Sequence, residues 1–211
     1  MNQIRVLLVE YDPVWQMQAK ACLYNEPDLM LLGTVGSVED ALQIVRTLQV
    51  DVVVMAILLN GNDPDGMEAV LEIGGQNKTK VIMLSFTQQE RTIVEAFGHH
   101  ACNYVHKSHI SDIPEAIRAA HHDQSPIHYT SAGAIRNEVM RIQLDTWRKQ
   151  FTPSELLILR LLDQGMSHKQ MSEHLSITQS TVKKHVNHIL HKYRVRSGRE
   201  AARKARMRGI L

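Results

Sequence analysis

Asp51-Val52-Val53-Val54-Met55-Ala56 is the stretch on which the fold of this chain turns. It is short, apolar after its first residue and valine-rich, as a strand is when both of its faces are covered. Outward from it, strands and helices alternate. Ile4–Val9 and Leu29–Val35 read as strands before it, each followed by a helical pattern, Pro13–Tyr24 and Val38–Leu48. Ser37 suits the N-cap of the second helix, and Asp40 favours its first turn. After the Asp51–Met55 strand, the turn-rich Asn60–Gly66 stretch reads as a loop, longer than a tight turn. Met67–Ile73 is a short helix, Lys80–Leu84 a fourth strand, and Gln88–Phe97 a helix ended by Gly98. Asn103–His106 is a fifth strand and Ile113–His121 a last helix. Five such units predict an α/β fold with one five-stranded, doubly wound parallel sheet and right-handed crossovers. In such a sheet the chemistry lies at the C-terminal ends of the strands. At the end of the central strand stands Ala56, which has no carboxylate.

The chain has 211 residues, enough for two small domains, and 44% of them are hydrophobic. No apolar run approaches the length of about 18 residues that a transmembrane helix needs. The N-terminus lacks the basic region and cleavage site of a signal peptide. Cys22 and Cys102 suggest no disulfide framework and read as buried thiols in a cytoplasmic protein. The net charge of +2 conceals an asymmetry. Residues 1–124 carry 8 Lys and Arg against 16 Asp and Glu, whereas residues 150–211 carry 12 against 4. A basic last third is the signature of a polyanion-binding module. The expected division is 1–124, a linker with a helix over 125–149, and a DNA-binding domain over 150–211. Ser125-Pro126 breaks the first pattern, and Ala132–Arg148 reads as the linker helix.

The last third has no strand signal. Its four helical segments are Pro153–Leu162, His168–Leu175, Gln179–Tyr193 and Arg199–Arg208. Thr152, Pro153 and Glu155 form a capping-box start, Gly165 ends the first helix and Ser167 caps the second. Thr178 or Ser180 opens the third. A short helix, a tight turn and a helix with a basic start form a helix-turn-helix, whose second helix enters the DNA major groove. Val182, Val186, Ile189 and Leu190 belong mostly to the core. Lys183, Lys184 and Asn187 then face outward as base readers, because lysine donates to guanine and asparagine pairs with adenine. Thr178, Ser180, Thr181, His188, Lys192 and Arg196 are the expected phosphate or accessory contacts.

Phe151-Thr152-Pro153-Ser154-Glu155, Ser167-His168-Lys169-Gln170, Thr181-Val182-Lys183 and Val195-Arg196-Ser197 resemble the LuxR-type helix-turn-helix of NarL/FixJ response regulators. Upstream, Val6–Glu10, Asp65-Gly66, Met83–Ser85 and Tyr104–Lys107 resemble a receiver domain of flavodoxin-like fold. The resemblance implies a phosphorylation pocket made of an acidic pair holding Mg²⁺, an aspartate acceptor, a hydroxyl and a lysine. Here Glu10, Ser85 and Lys107 are present, but Tyr11 stands at the second acidic position and Ala56 at the acceptor. Two losses of oxygen from one pocket make it vestigial, because a hard cation needs oxygen ligands. Lys107, unless paired with Glu10 or a loop aspartate, would be a costly unpaired buried charge.

The leading expectation is therefore a sequence-specific transcriptional regulator binding double-stranded DNA, as a homodimer, with an unphosphorylated receiver. The receiver would serve as a dimerisation platform over Gln88–His122, with Ser85 and Tyr104 as its switch pair, or would sense a small-molecule or protein effector. The alternatives are an adaptor that titrates another regulator, and a receiver phosphorylated at a relocated aspartate, Asp12, Asp63 or Asp65. The twelve histidines include no ligand constellation of convincing spacing, so neither metal nor cofactor is expected. No nucleophile–base pair or glycine-rich phosphate loop points to an enzyme.

Overall fold

The computed structural model describes residues 3–59, 65–76, 79–124 and 127–211. Its contacts divide the chain into two compact units, between Asn137 and Glu138.

In the first unit five parallel strands, β1 (Ile4–Val9), β2 (Leu29–Val35), β3 (Val52–Ala56), β4 (Lys80–Ser85) and β5 (Ala101–His106), form one sheet in the order β2-β1-β3-β4-β5. Helices α1 (Pro13–Tyr24), α2 (Val38–Thr47), α3 (Asp65–Gln76), α4 (Glu90–Gly98) and α5 (Ile113–His121) connect and cover the strands. Every residue of β3 is buried, because the sheet has a core on each face. Leu7, Val53, Met55 and Met83 point into one core, and Val6, Leu8, Val54 and Ile82 into the other. That two-sided burial is why Asp51–Ala56 shows no alternation. At the opposite end of β3, Arg5 and Asp51 form a bidentate pair at 2.7 and 3.0 Å.

Several boundaries differ from the sequence reading. The third helix is longer than Met67–Ile73, and β5 begins two residues before Asn103. The fourth helix begins at Glu90 and has Gly98 as its last residue rather than as the residue after it. His100, at φ 74°, supplies the left-handed residue beyond its end. The expected long loop over 58–66 lies mostly outside the described residues, as does the Ser125-Pro126 break. Ser37 caps α2 as expected, accepting from the Asp40 N–H. A long helix, α6 (Tyr129–Arg148), starts three residues before Ala132. Its first turns place Ala134 and Ile135 against the core of the first unit.

The second unit is all helical: the end of α6, α7 (Pro153–Asp163), α8 (His168–Leu175), α9 (Gln179–Tyr193) and α10 (Gly198–Met207). Its core gathers Phe151, Ile158, Leu159, Met171, Val182, Val186, Ile189, Tyr193, Ala201 and Ala205. Capping boxes close the starts of α7, through Thr152 and Glu155, and of α8, through Ser167 and Gln170. Gly165, at φ 79°, ends α7. Among the described residues no helix is long and apolar enough to cross a membrane.

Candidate functional site

The parallel strands bring their C-terminal ends to one edge, and with them Glu10 after β1, Ala56 ending β3, Ser85 ending β4 and Lys107 after β5. With Tyr11 following Glu10, the five expected pocket positions are neighbours. Lys107 is buried, and its Nζ lies 2.5 Å from Glu10 Oε2. The contact is a charge pair without an aligned hydrogen bond. Glu10 Oε1 accepts instead from the Asp12 N–H at 3.1 Å. The pairing expected of Lys107 is therefore present, with Glu10 as the partner.

Two side chains that the sequence reading did not single out complete this arrangement. Trp15, in the first turn of α1, and Phe86, next to Ser85, meet edge to face with centroids 5.0 Å apart. The Lys107 ammonium sits 5.3 and 5.4 Å from the two ring centroids, in the range of a cation–π contact. An aromatic residue directly after a switch hydroxyl, with a second one turn into α1, was the available signal. Ala56 is buried, whereas Tyr11 is 45% exposed at the rim. Together these residues border an open cleft of about 620 Å³.

Asp12, one of the relocated-acceptor candidates, caps α1, accepting from the Val14 N–H at 2.8 Å. Asp63 and the side chain of Asp65 lie outside the described residues. The expected switch pair is close together. Tyr104 is buried and donates its hydroxyl to the Thr87 carbonyl at 2.8 Å, and Ser85 Oγ accepts from the Thr87 N–H at 3.1 Å. Burial pushes the Tyr104 phenol upward, with Ser85 opposing it.

In the helical unit Ser176 takes a left-handed conformation, φ 52°, that turns α8 into α9. Thr178 caps α9 by accepting from the Thr181 N–H, and its hydroxyl also meets those of Ser180 and Thr181 at 2.7 and 2.9 Å. Val182, Val186 and Ile189 are buried. Lys183, Lys184 and Asn187 are exposed, with Asn187 about one turn from each lysine. Arg196 is also exposed.

Lys192, an expected phosphate contact, has a partner within the module while its side chain stays about one-third exposed. Its Nζ is 2.5 Å from Glu155 Oε2, and its charge lies 5.4 Å from the Phe151 ring centroid. It binds within the module, tying α9 to the start of α7. His188 leans the same way, with Nδ1 3.9 Å from Glu155 Oε1, though half its side chain stays exposed. Burial alone would push the Glu155 carboxyl up. The hydrogen bonds from Lys192 and the Thr152 N–H outweigh it, and the net shift is downward. The basic α10 is likewise partly engaged. Lys204 donates to the Tyr193 carbonyl at 3.0 Å, Arg206 pairs with Asp163 at 2.5 Å, and Arg208 stacks between Trp147 and Tyr193. Arg199 and Arg203 remain exposed. Among the described residues no group of three His, Cys, Asp or Glu could hold a metal ion.

Known proteins match this organisation. The family model "Response regulator receiver domain" matches residues 6–118. The model "Bacterial regulatory proteins, luxR family" matches residues 149–205. The transcriptional regulatory protein LiaR of Bacillus subtilis is 29% identical over 94% of this chain and 95% of its own length. The nitrate/nitrite response regulator NarL of Escherichia coli K12 is 25% identical over 93% of this chain and 92% of its own. A solved structure of two RcsB dimers bound to two parallel DNAs superposes with a TM-score of 0.58 at 14% identity, covering 98% of this chain and 99% of that one.

Proposed function

The chain belongs to the NarL/FixJ family of response regulators and is a DNA-binding transcriptional regulator, and from that premise we propose that its receiver acts without being phosphorylated. The observation that carries this reading is the state of the pocket. Ala56 offers no acceptor oxygen, Tyr11 removes a metal ligand, and the remaining charges, Glu10 and Lys107, neutralise each other under Trp15 and Phe86. Phosphoryl transfer needs the opposite, a metal held by several oxygens and a lysine available to the new charge. A relocated acceptor at Asp12 is disfavoured because that carboxylate already caps α1.

The receiver then works as a platform for dimerisation or for an effector. The pair Ser85 and Tyr104, both tied to Thr87, is held inward. DNA is read by Lys183, Lys184 and Asn187, with Thr178, Ser180, Thr181 and Arg196 near the phosphates and His188 beside them. Lys192 ties α9 to α7 through Glu155 and lies on the same exposed side as the expected phosphate contacts. The working division is 1–124, 125–149 and 150–211, and the protein acts in the cytoplasm as a homodimer, as RcsB does on DNA. Selection from random duplex DNA with untreated full-length protein tests this. It should enrich one common sequence. Enrichment that appears only after treatment with acetyl phosphate and Mg²⁺ would contradict it.

A further inference from the structure

We propose that the cleft beside Ala56 is a binding site for a neutral, flat aromatic molecule carrying a hydrogen-bond acceptor. The proposal rests on the reading of the receiver as unphosphorylated and names the ligand class that the altered pocket suits. The cleft is about 620 Å³, within the span of small-ligand sites, about 300–1,000 Å³. It opens where the strand order reverses between β1 and β3, the place at which open α/β sheets receive ligands. Its floor, Ala56, Ile57 and Leu84, is apolar and buried. Around its mouth Tyr11, Leu58 and Phe86 are 45%, 44% and 57% exposed. Three large apolar side chains converging on one opening form a surface that a ring system covers by stacking.

Charge decides the class of ligand. A divalent cation needs several oxygens, and Glu10 already holds Lys107. An anion needs an available cation, and the Lys107 ammonium is paired at 2.5 Å and roofed by two rings. What remains for a ligand is hydroxyl chemistry. Ser85 Oγ accepts from the Thr87 N–H, and Thr87 Oγ1 accepts from the Gln89 N–H at 3.2 Å. The Thr87 hydroxyl keeps its proton to donate towards an acceptor in the cleft, while the Ser85 hydroxyl links the cleft to Tyr104. Because Tyr104 is bonded to the Thr87 carbonyl, an occupant touching Ser85 and Thr87 biases the Tyr104 position, which gives the regulator an input that replaces the phosphoryl group.

The test uses 2-naphthol as the probe and ¹⁵N-labelled full-length protein. The indole N–H signals of Trp15 and Trp147 are assigned with the Trp15→Phe variant. The Trp15 signal should shift saturably while that of Trp147 stays fixed. Phe86→Ala, a change at an exposed side chain, should weaken binding about tenfold through loss of a stacking face. The anionic 2-naphthalenesulfonate should bind more weakly than 2-naphthol by about tenfold. A Trp15 signal that never moves, equal movement of both signals, or equal affinity for the sulfonate would overturn the site. The same samples are treated with acetyl phosphate and Mg²⁺ and weighed intact. A flat titration with unchanged mass sinks the aromatic site alone, whereas a gained phosphoryl group sinks the reading beneath it as well.

Discussion

Glu10 and Lys107 set the character of the receiver at the residue scale. A buried ion pair adds little net stability, but removing one partner leaves the other uncompensated. Glu10→Gln should therefore lower the unfolding free energy by about 3 kcal/mol, read from urea midpoints. Adding Lys107→Met should recover much of the loss. An unchanged midpoint in Glu10→Gln would show that the rings of Trp15 and Phe86 suffice for the ammonium. On α9, Lys183→Ala or Asn187→Ala should each cost roughly 1–3 kcal/mol of specific DNA binding if the side chain reads a base, with folding unchanged because both are exposed. A uniform loss across all DNA sequences would assign a phosphate role instead. The pairing of Lys107 was legible in the sequence, since a lysine and a glutamate brought to the same edge of a parallel sheet have few alternatives. The rings above it were marked only by an aromatic beside Ser85 and another early in α1, because it is the fold that brings the start of α1 to the end of β4. The partner of Lys192 was hidden for a related reason: Glu155 lies 37 positions away, and only the packing of α7 on α9 joins them.

The capped helix starts carry the architecture at the scale of elements. Thr152, Ser167 and Thr178 accept from the backbone at the starts of α7, α8 and α9; residue type and spacing picked out the first two and left Thr178 or Ser180 for the third. Helix ends were less so. Gly98 marked the stop to within one residue, but the left-handed residue beyond it is His100, and a non-glycine residue in that conformation leaves no composition signal. Glu155 joins a cap to a tertiary contact and gives the helical unit a pH dependence. Its folded pKa lies below the ordinary value of 4.5. The stability it contributes is fully present above that value and is lost as the pH falls through the lower, folded value. Thermal unfolding of the full-length protein should therefore weaken in the helical unit below about pH 4.5. Glu155→Gln should be less stable at neutral pH and should lack that part of the acid dependence. A variant with the wild-type acid profile would place the dependence elsewhere.

Charge is the property of the whole molecule that the linear sequence displays best, an acidic receiver followed by a basic helical module. Counterion release then makes DNA affinity fall steeply with salt, by about 0.9 logarithmic units per phosphate contact for each tenfold rise. The structure removes Lys192, Lys204 and Arg206 from the freely available cations. The slope should therefore correspond to fewer contacts than the 12 Lys and Arg of residues 150–211. A slope matching all of them would mean that those intramolecular pairs open on DNA. The sheet and the helix-turn-helix were both recoverable from apolar periodicity, because two-sided burial and capped amphipathic helices leave local marks. The cleft was not, since it is made by residues missing from a pocket and by rings arriving from other elements. The most direct measurement is the intact mass of full-length protein after incubation with acetyl phosphate and Mg²⁺, paired with its DNA affinity before and after. The expected result is an unchanged mass and an unchanged affinity. The gain of one phosphoryl group on an aspartate, accompanied by tighter DNA binding, would contradict the receiver proposed here.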